Sequence, residues 1–145
     1  MGTITSVTKK FKWHCAHRLL NHKGLCNNIH GHTYKMEVTA MGKLKNDGMI
    51  VDFGDLKNII TAEIVNNFDH ALLIYKEDDD LMGVHDAMLT KTFIFPFNTT
   101  VENMVKWIFE TLNKASEIND WGLVFTKVVL YETDTSFAEC ENIKG

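Results

Sequence analysis

In the stretch CNNIHGHTY, the thiol of Cys26 stands four residues before His30, and His32 follows two residues later. Residues two apart in an extended strand share a face, so both imidazoles would project the same way, their backbones about 7 Å apart. A zinc ion, with bonds to nitrogen of roughly 2.0–2.1 Å, can bridge that gap. His17 ends the preceding extended segment, and a hairpin between the two segments would set it across from the pair. Three imidazoles leave one tetrahedral position open, as a catalytic zinc requires. Cys26 as a fourth ligand would instead close a structural site, and the spacing leaves both arrangements open.

These residues need strands to position them. Thr3 to about Ala16 alternates in polarity and reads as a first strand, followed by an Asn- and Gly-rich loop, NHKGLCNN. HTYKMEVTAMGKL reads as a second strand with Tyr34, Met36 and Val38 on one face, closed by a KNDG turn. VDFGDLKNIITAEIVNNF has Leu56, Ile59, Ile60 and Ile64 at helical spacing, with Asp52 as N-cap and Asp55 in the first turn. ALLIY and KTFIF read as short extended pieces around KEDDD, an acidic run expected to be a solvated loop. TTVENMVKWIFETLNKA is a second helix, with Thr99 and Glu102 at the spacing of a capping box. GLVFTKVVLYETD and SFAEC read as two final strands. The order predicts an α+β fold, an antiparallel sheet covered on one face by helices.

The 145 residues fit a single domain, 1–145, with 45% hydrophobic and 23% charged residues. A net charge of −4 gives no electrostatic footprint for nucleic acid, and no segment has the run of apolar residues that spans a bilayer. The N-terminal stretch lacks the apolar block of a signal peptide, so a cytoplasmic location is expected. Three cysteines make an odd count and argue against a disulfide framework. Cys15 and Cys140 read as structural thiols, and His14, His22 and His85 as surface or structural residues.

WHCAHRL, CNNIHGHTY, GMIVDFGDLK, FDHALL, FPFNTTVENMVKWI and VVLYETDTSFAE, in that order, resemble the 6-pyruvoyltetrahydropterin synthase family from about Phe11 to Cys140. The Cys-x-x-x-His-Gly-His spacing resembles its 6-carboxytetrahydropterin synthase branch, which serves queuosine biosynthesis. The resemblance implies the tunnelling fold, a four-stranded antiparallel sheet with two helices on one face. It also implies sheets joining into a barrel, a homohexamer built as a dimer of trimers, and active sites between subunits. It implies zinc held by His17, His30 and His32, with Cys26, Asp69 and His70 as catalytic residues. Thr100, Glu102 and Glu132 fall where the family contacts the pterin. The implied enzyme is a lyase that converts 7,8-dihydroneopterin triphosphate to 6-carboxytetrahydropterin, releasing acetaldehyde and triphosphate.

Two departures stand out. Asn98-Thr99-Thr100 replaces a common Asn-Pro-Thr, and DHALLIYKEDDD replaces the usual Leu-Asn after Asp-His. Two rival functions follow from the same residues. One is 6-pyruvoyltetrahydropterin formation by triphosphate elimination alone. The other is a non-catalytic binding module in which zinc is structural and Cys26 ligates it.

Overall fold

The computed structural model describes residues 2–142. Strand β1 (Ser6–His17) and strand β2 (His30–Gly42) form a long antiparallel hairpin. Their register pairs His17 with His30 and Cys15 with His32. The predicted hairpin alignment of the three imidazoles is therefore met. On β2, Tyr34, Met36, Val38 and Ala40 alternate inward and are wholly buried, as period-two patterning requires of a sheet with one covered face.

A helical rod follows, capped by the Asp52 carboxylate, which accepts from the backbone N–H groups of Gly54 and Asp55. It runs through α1 (Phe53–Ile60), a π-helical turn (Thr61–Val65) and α2 (Asn66–Phe68). Leu56, Ile60, Ile64 and Phe68 recur every fourth residue and are all fully buried. In an α-helix, residues four apart fall about 40° out of line. The wider π turn takes up that drift and keeps the stripe on the core.

Strands β3 (Leu72–Tyr75) and β4 (Thr92–Phe95) flank helix α3 (Asp79–Asp86), after which come helix α4 (Val101–Asn119), β5 (Leu123–Thr133) and β6 (Ser136–Glu141). The strand order is β4-β3-β1-β2-β5-β6. This corrects the expected four-stranded antiparallel sheet. The four long strands do pair antiparallel, but ALLIY and KTFIF add two parallel strands at the β1 edge. Helix α3 serves as the crossover that a parallel β3–β4 pair needs. The fold thus matches the expected α+β class with a mixed, six-stranded sheet.

The acidic run also differs from a solvated loop. Asp78 is 2% exposed and caps α3 by accepting from the Leu81 N–H. It takes a two-pronged ion pair from Arg18, with Nε–Oδ2 at 2.7 Å and Nη2–Oδ1 at 2.6 Å. Such fork-on-carboxylate bonds fix orientation as well as position. The start of α4 is one residue later than expected. Thr100, not Thr99, is the N-cap, accepting from the Asn103 N–H, so Glu102 is not the third residue of a capping box.

Candidate metal and pterin site

Strand alternation delivers His17, His30 and His32 to the covered face, where their rings meet edge to face with centroids 4.7–5.1 Å apart. One ligand atom from each lies within 4.8 Å of the others, and this is the cluster among the described residues that could hold a metal ion. The Cys26 thiol, half-buried in the turn Leu25–Asn27, is not part of that cluster.

The imidazole tautomers follow from their partners. His17 Nδ1 is 2.9 Å from the Thr99 carbonyl, and His30 Nδ1 is 2.7 Å from the Asn28 carbonyl. A carbonyl only accepts, so both Nδ1 atoms carry the proton and both Nε2 atoms present a lone pair. Nε2 of His17, His30 and His32 is buried and unpartnered, and so are Tyr34 Oη and Trp13 Nε1. Buried polar atoms normally find partners, and each orphan costs about 1–3 kcal/mol. Among the described residues these five lie in one patch, linked by ring contacts of 4.7–6.2 Å. Three converging imidazole nitrogens on a desolvated floor suit a divalent, nitrogen-preferring metal such as zinc.

Burial reinforces this. His17, 1% exposed, has its pKa lowered to about 4, chiefly because burial disfavours the imidazolium, and His32 is lowered for the same reason. Both stay neutral at pH 7, the form a metal needs. Cys15, on the same face, is pushed up to about 12 by burial and remains a thiol. It behaves as the structural residue the sequence suggested.

Glu132 completes the patch. Its Oε1 lies 3.6 Å from His32 Nε2. It sits where β5 and β6 slip register between Tyr131 and Thr133, an extra residue of the kind that re-aims a side chain. Burial raises its pKa, the nearby His30 opposes that, and the charge of Glu102 adds to it. Glu102 itself is exposed in the first turn of α4, next to the capping Thr100.

Asp69 and His70 stand apart from the triad. Asp69 Oδ1 accepts from the His14 N–H at 3.1 Å, and the His70 N–H donates to the His14 carbonyl at 2.7 Å. His70 adopts φ +62°, a left-handed conformation costly for a side-chain-bearing residue, and its side chain is 78% exposed. Its Nε2 is 3.7 Å from Asp69 Oδ1, an ion-pair distance when the ring is protonated. A cleft of 560 Å³ is lined by both His32 and His70, yet the His70 ring packs against His14 and not against the triad.

Sequence reasoning missed the groups behind the ligands. The Thr99 and Asn28 carbonyls are backbone atoms and leave no residue-type signal. The Arg18–Asp78 pair had one, since an arginine directly after His17 needs a partner when buried.

Comparison with known protein families matches residues 6–142 to the family described as 6-pyruvoyl tetrahydropterin synthase. A relative from Haemophilus influenzae, named 6-carboxy-5,6,7,8-tetrahydropterin synthase, is 36% identical over 140 residues, covering 92% of this chain and 96% of its own. Among solved structures, an uncharacterized protein from Wolinella succinogenes superposes with a TM-score of 0.77 at 20% identity, covering 98% of this chain and 100% of its own. The 6-pyruvoyl tetrahydropterin synthase of Caenorhabditis elegans superposes with a TM-score of 0.69 at 24% identity, covering 97% of each chain. These likenesses speak for the fold.

Proposed function

Since the chain belongs to the 6-pyruvoyl tetrahydropterin synthase family, we propose that it is a zinc-dependent 6-carboxy-5,6,7,8-tetrahydropterin synthase serving queuosine-type 7-deazapurine synthesis. The observation behind this reading is the convergence of three unpartnered imidazole nitrogens beside a half-buried carboxylate, Glu132. His17, His30 and His32 would hold the zinc, which supplies Lewis acidity to substrate hydroxyl and carbonyl oxygens.

The remaining chemistry falls to the chain's own side chains. Glu132, half-buried and at a strand end, suits adjacent N–H donors of a pterin edge, which can meet both its oxygens. Thr100 and Glu102, at the start of α4, would add contacts to the same ligand, and the charge of Glu102 acts on Glu132. Cys26, outside the ligand cluster, would be the group that moves side-chain protons. Asp69, 3.7 Å from the His70 ring, would position it. Substrate 7,8-dihydroneopterin triphosphate and water would give 6-carboxytetrahydropterin, acetaldehyde and triphosphate.

Asp69 and His70 pack on His14 and not on the triad of their own protomer, which supports reading the complete site as one formed between subunits. The sheet supports such an assembly. β6 is an outermost strand, and β1 registers with β3 only at Ala16. Pairing β6 of one copy with β1 of the next would close a barrel of three, and two barrels a cytoplasmic homohexamer. Among the described residues no helix is long and apolar enough to cross a membrane.

Incubation of zinc-loaded protein with 7,8-dihydroneopterin triphosphate, followed by mass spectrometry and an acetaldehyde assay, tests the proposal. A carboxy-pterin with equimolar acetaldehyde is expected. A pyruvoyl-pterin without acetaldehyde would move the chain to the family's other reaction, and neither product would sink the enzyme reading.

A further inference from the structure

We propose that Thr99 is a positioning residue for His17, an inference that rests on reading the three imidazoles as a metal site. Two successive residues, His17 at the end of β1 and Arg18 just beyond it, are held from this one side chain and its own carbonyl. The Thr99 carbonyl accepts from His17 Nδ1 at 2.9 Å, and the Thr99 hydroxyl donates to the Arg18 carbonyl at 3.1 Å. Thr99 is wholly buried, so water does not compete for either bond.

The two bonds do different jobs. The first fixes the ring's tautomer and aims Nε2 at the other imidazoles. The second stops the Thr99 peptide from swinging, because it pins the side chain of the same residue to the strand that bears the ring. Behind Thr99 the loop is tied to the start of α4. The Thr100 N–H and Asn103 Nδ2 both donate to the Asn98 carbonyl, and the Asn103 N–H donates to Thr100 Oγ1. Arg18 is held a second time through its guanidinium on Asp78. His17 is thus oriented by a rigid frame that closes through one hydroxyl. A proline, which the resemblance expects at this position, has no such group to offer.

Hydrogen-bond partners behind a metal-ligating imidazole typically matter 10–100-fold in metal affinity. The Thr99 hydroxyl acts one bond further back, so the lower end of that range is expected. The test is zinc affinity of chelator-stripped protein by competition with a chromophoric chelator, together with the visible spectrum of the cobalt(II) form. Thr99→Val, which removes the hydroxyl at nearly constant volume, should weaken zinc about tenfold and shift the cobalt bands, while Thr99→Ser should stay within about twofold of the parent. Thr99→Ala, which introduces no new atoms, is read in the same way should the valine variant fail to fold. Parent-like affinity in the hydroxyl-free variants, or equal weakening in Thr99→Ser, overturns the inference and leaves the metal site standing. Zinc affinity of the parent that is unmoved by His17→Ala overturns the metal reading, and the inference with it.

Discussion

The rings of His14 and His70 meet edge to face at 6.3 Å between centroids, on the face of β1 that His17 does not share. Residues 14 and 17 are an odd number apart in a strand, so their side chains leave opposite faces. Under the proposed shared site, His70, clamped to the His14 backbone, would serve the triad of another subunit. His70→Ala and Cys26→Ala, each expected to be inactive alone, should rescue each other when unfolded together and refolded at equal amounts. If each site takes Cys26 from one subunit and His70 from another, random mixing restores about a quarter of the parent activity. No recovery in mixed oligomers would place both groups in one subunit's site and refute the shared arrangement.

Cys26 lies outside the cluster of metal-ligand atoms, which separates the catalytic reading from the structural-zinc reading. Cys26→Ala should keep its zinc, measured by atomic emission after gel filtration. Turnover should fall about 10²–10⁴-fold, the usual contribution of a positioned proton-transfer group. Loss of the metal together with activity would show that the thiol is a ligand.

The triad was legible because it depends on two regular rules, side-chain alternation and hairpin pairing. His17↔His30 follows directly from them. The four long strands and both major helices were legible for the same reason, being long and periodic. β3 and β4, four residues each, are too short to reveal their partners, and parallel pairing depends on a crossover that sequence patterning hides. The helix in the acidic run was obscured because Asp78, Asp79 and Asp80 resemble a solvated stretch, and only the folded chain sets Asp78 apart, through its bonds to the Leu81 N–H and to Arg18. Two adjacent threonines offer the same hydroxyl, so the sequence alone does not separate Thr99 from the actual cap, Thr100.

The Arg18–Asp78 pair should matter to stability. Asp78→Ala removes both a two-pronged ion pair and a helix cap, and it leaves the guanidinium, 18% exposed, without its main partner. A loss of about 2–3 kcal/mol is expected, less than for a fully buried pair because water reaches the arginine. Asp78→Asn keeps the cap and should lose less. Urea midpoints of the two variants, converted with a common slope, decide the matter. Parent-like stability in Asp78→Ala would show that the pair is compensated.

Metal-free protein should weaken in acid over a defined window. In the unfolded chain His17 binds its proton near pH 6.5, whereas burial lowers the folded value to about 4. Between those limits the unfolded state holds more protons, so stability rises with pH. The contribution is complete above pH 6.5, declines as the pH falls, and is gone below 4, a span worth about 3 kcal/mol. His32 is lowered as well and steepens the same slope. Urea unfolding of chelator-treated protein at pH 7.5 and 5 should show the loss, and His17→Gln, which has no proton to gain, should lessen it. An equal pH slope in parent and variant would mean that His17 is already open to water and protons in the folded protein. A pocket open in that way would not hold its imidazoles neutral and aimed at one metal.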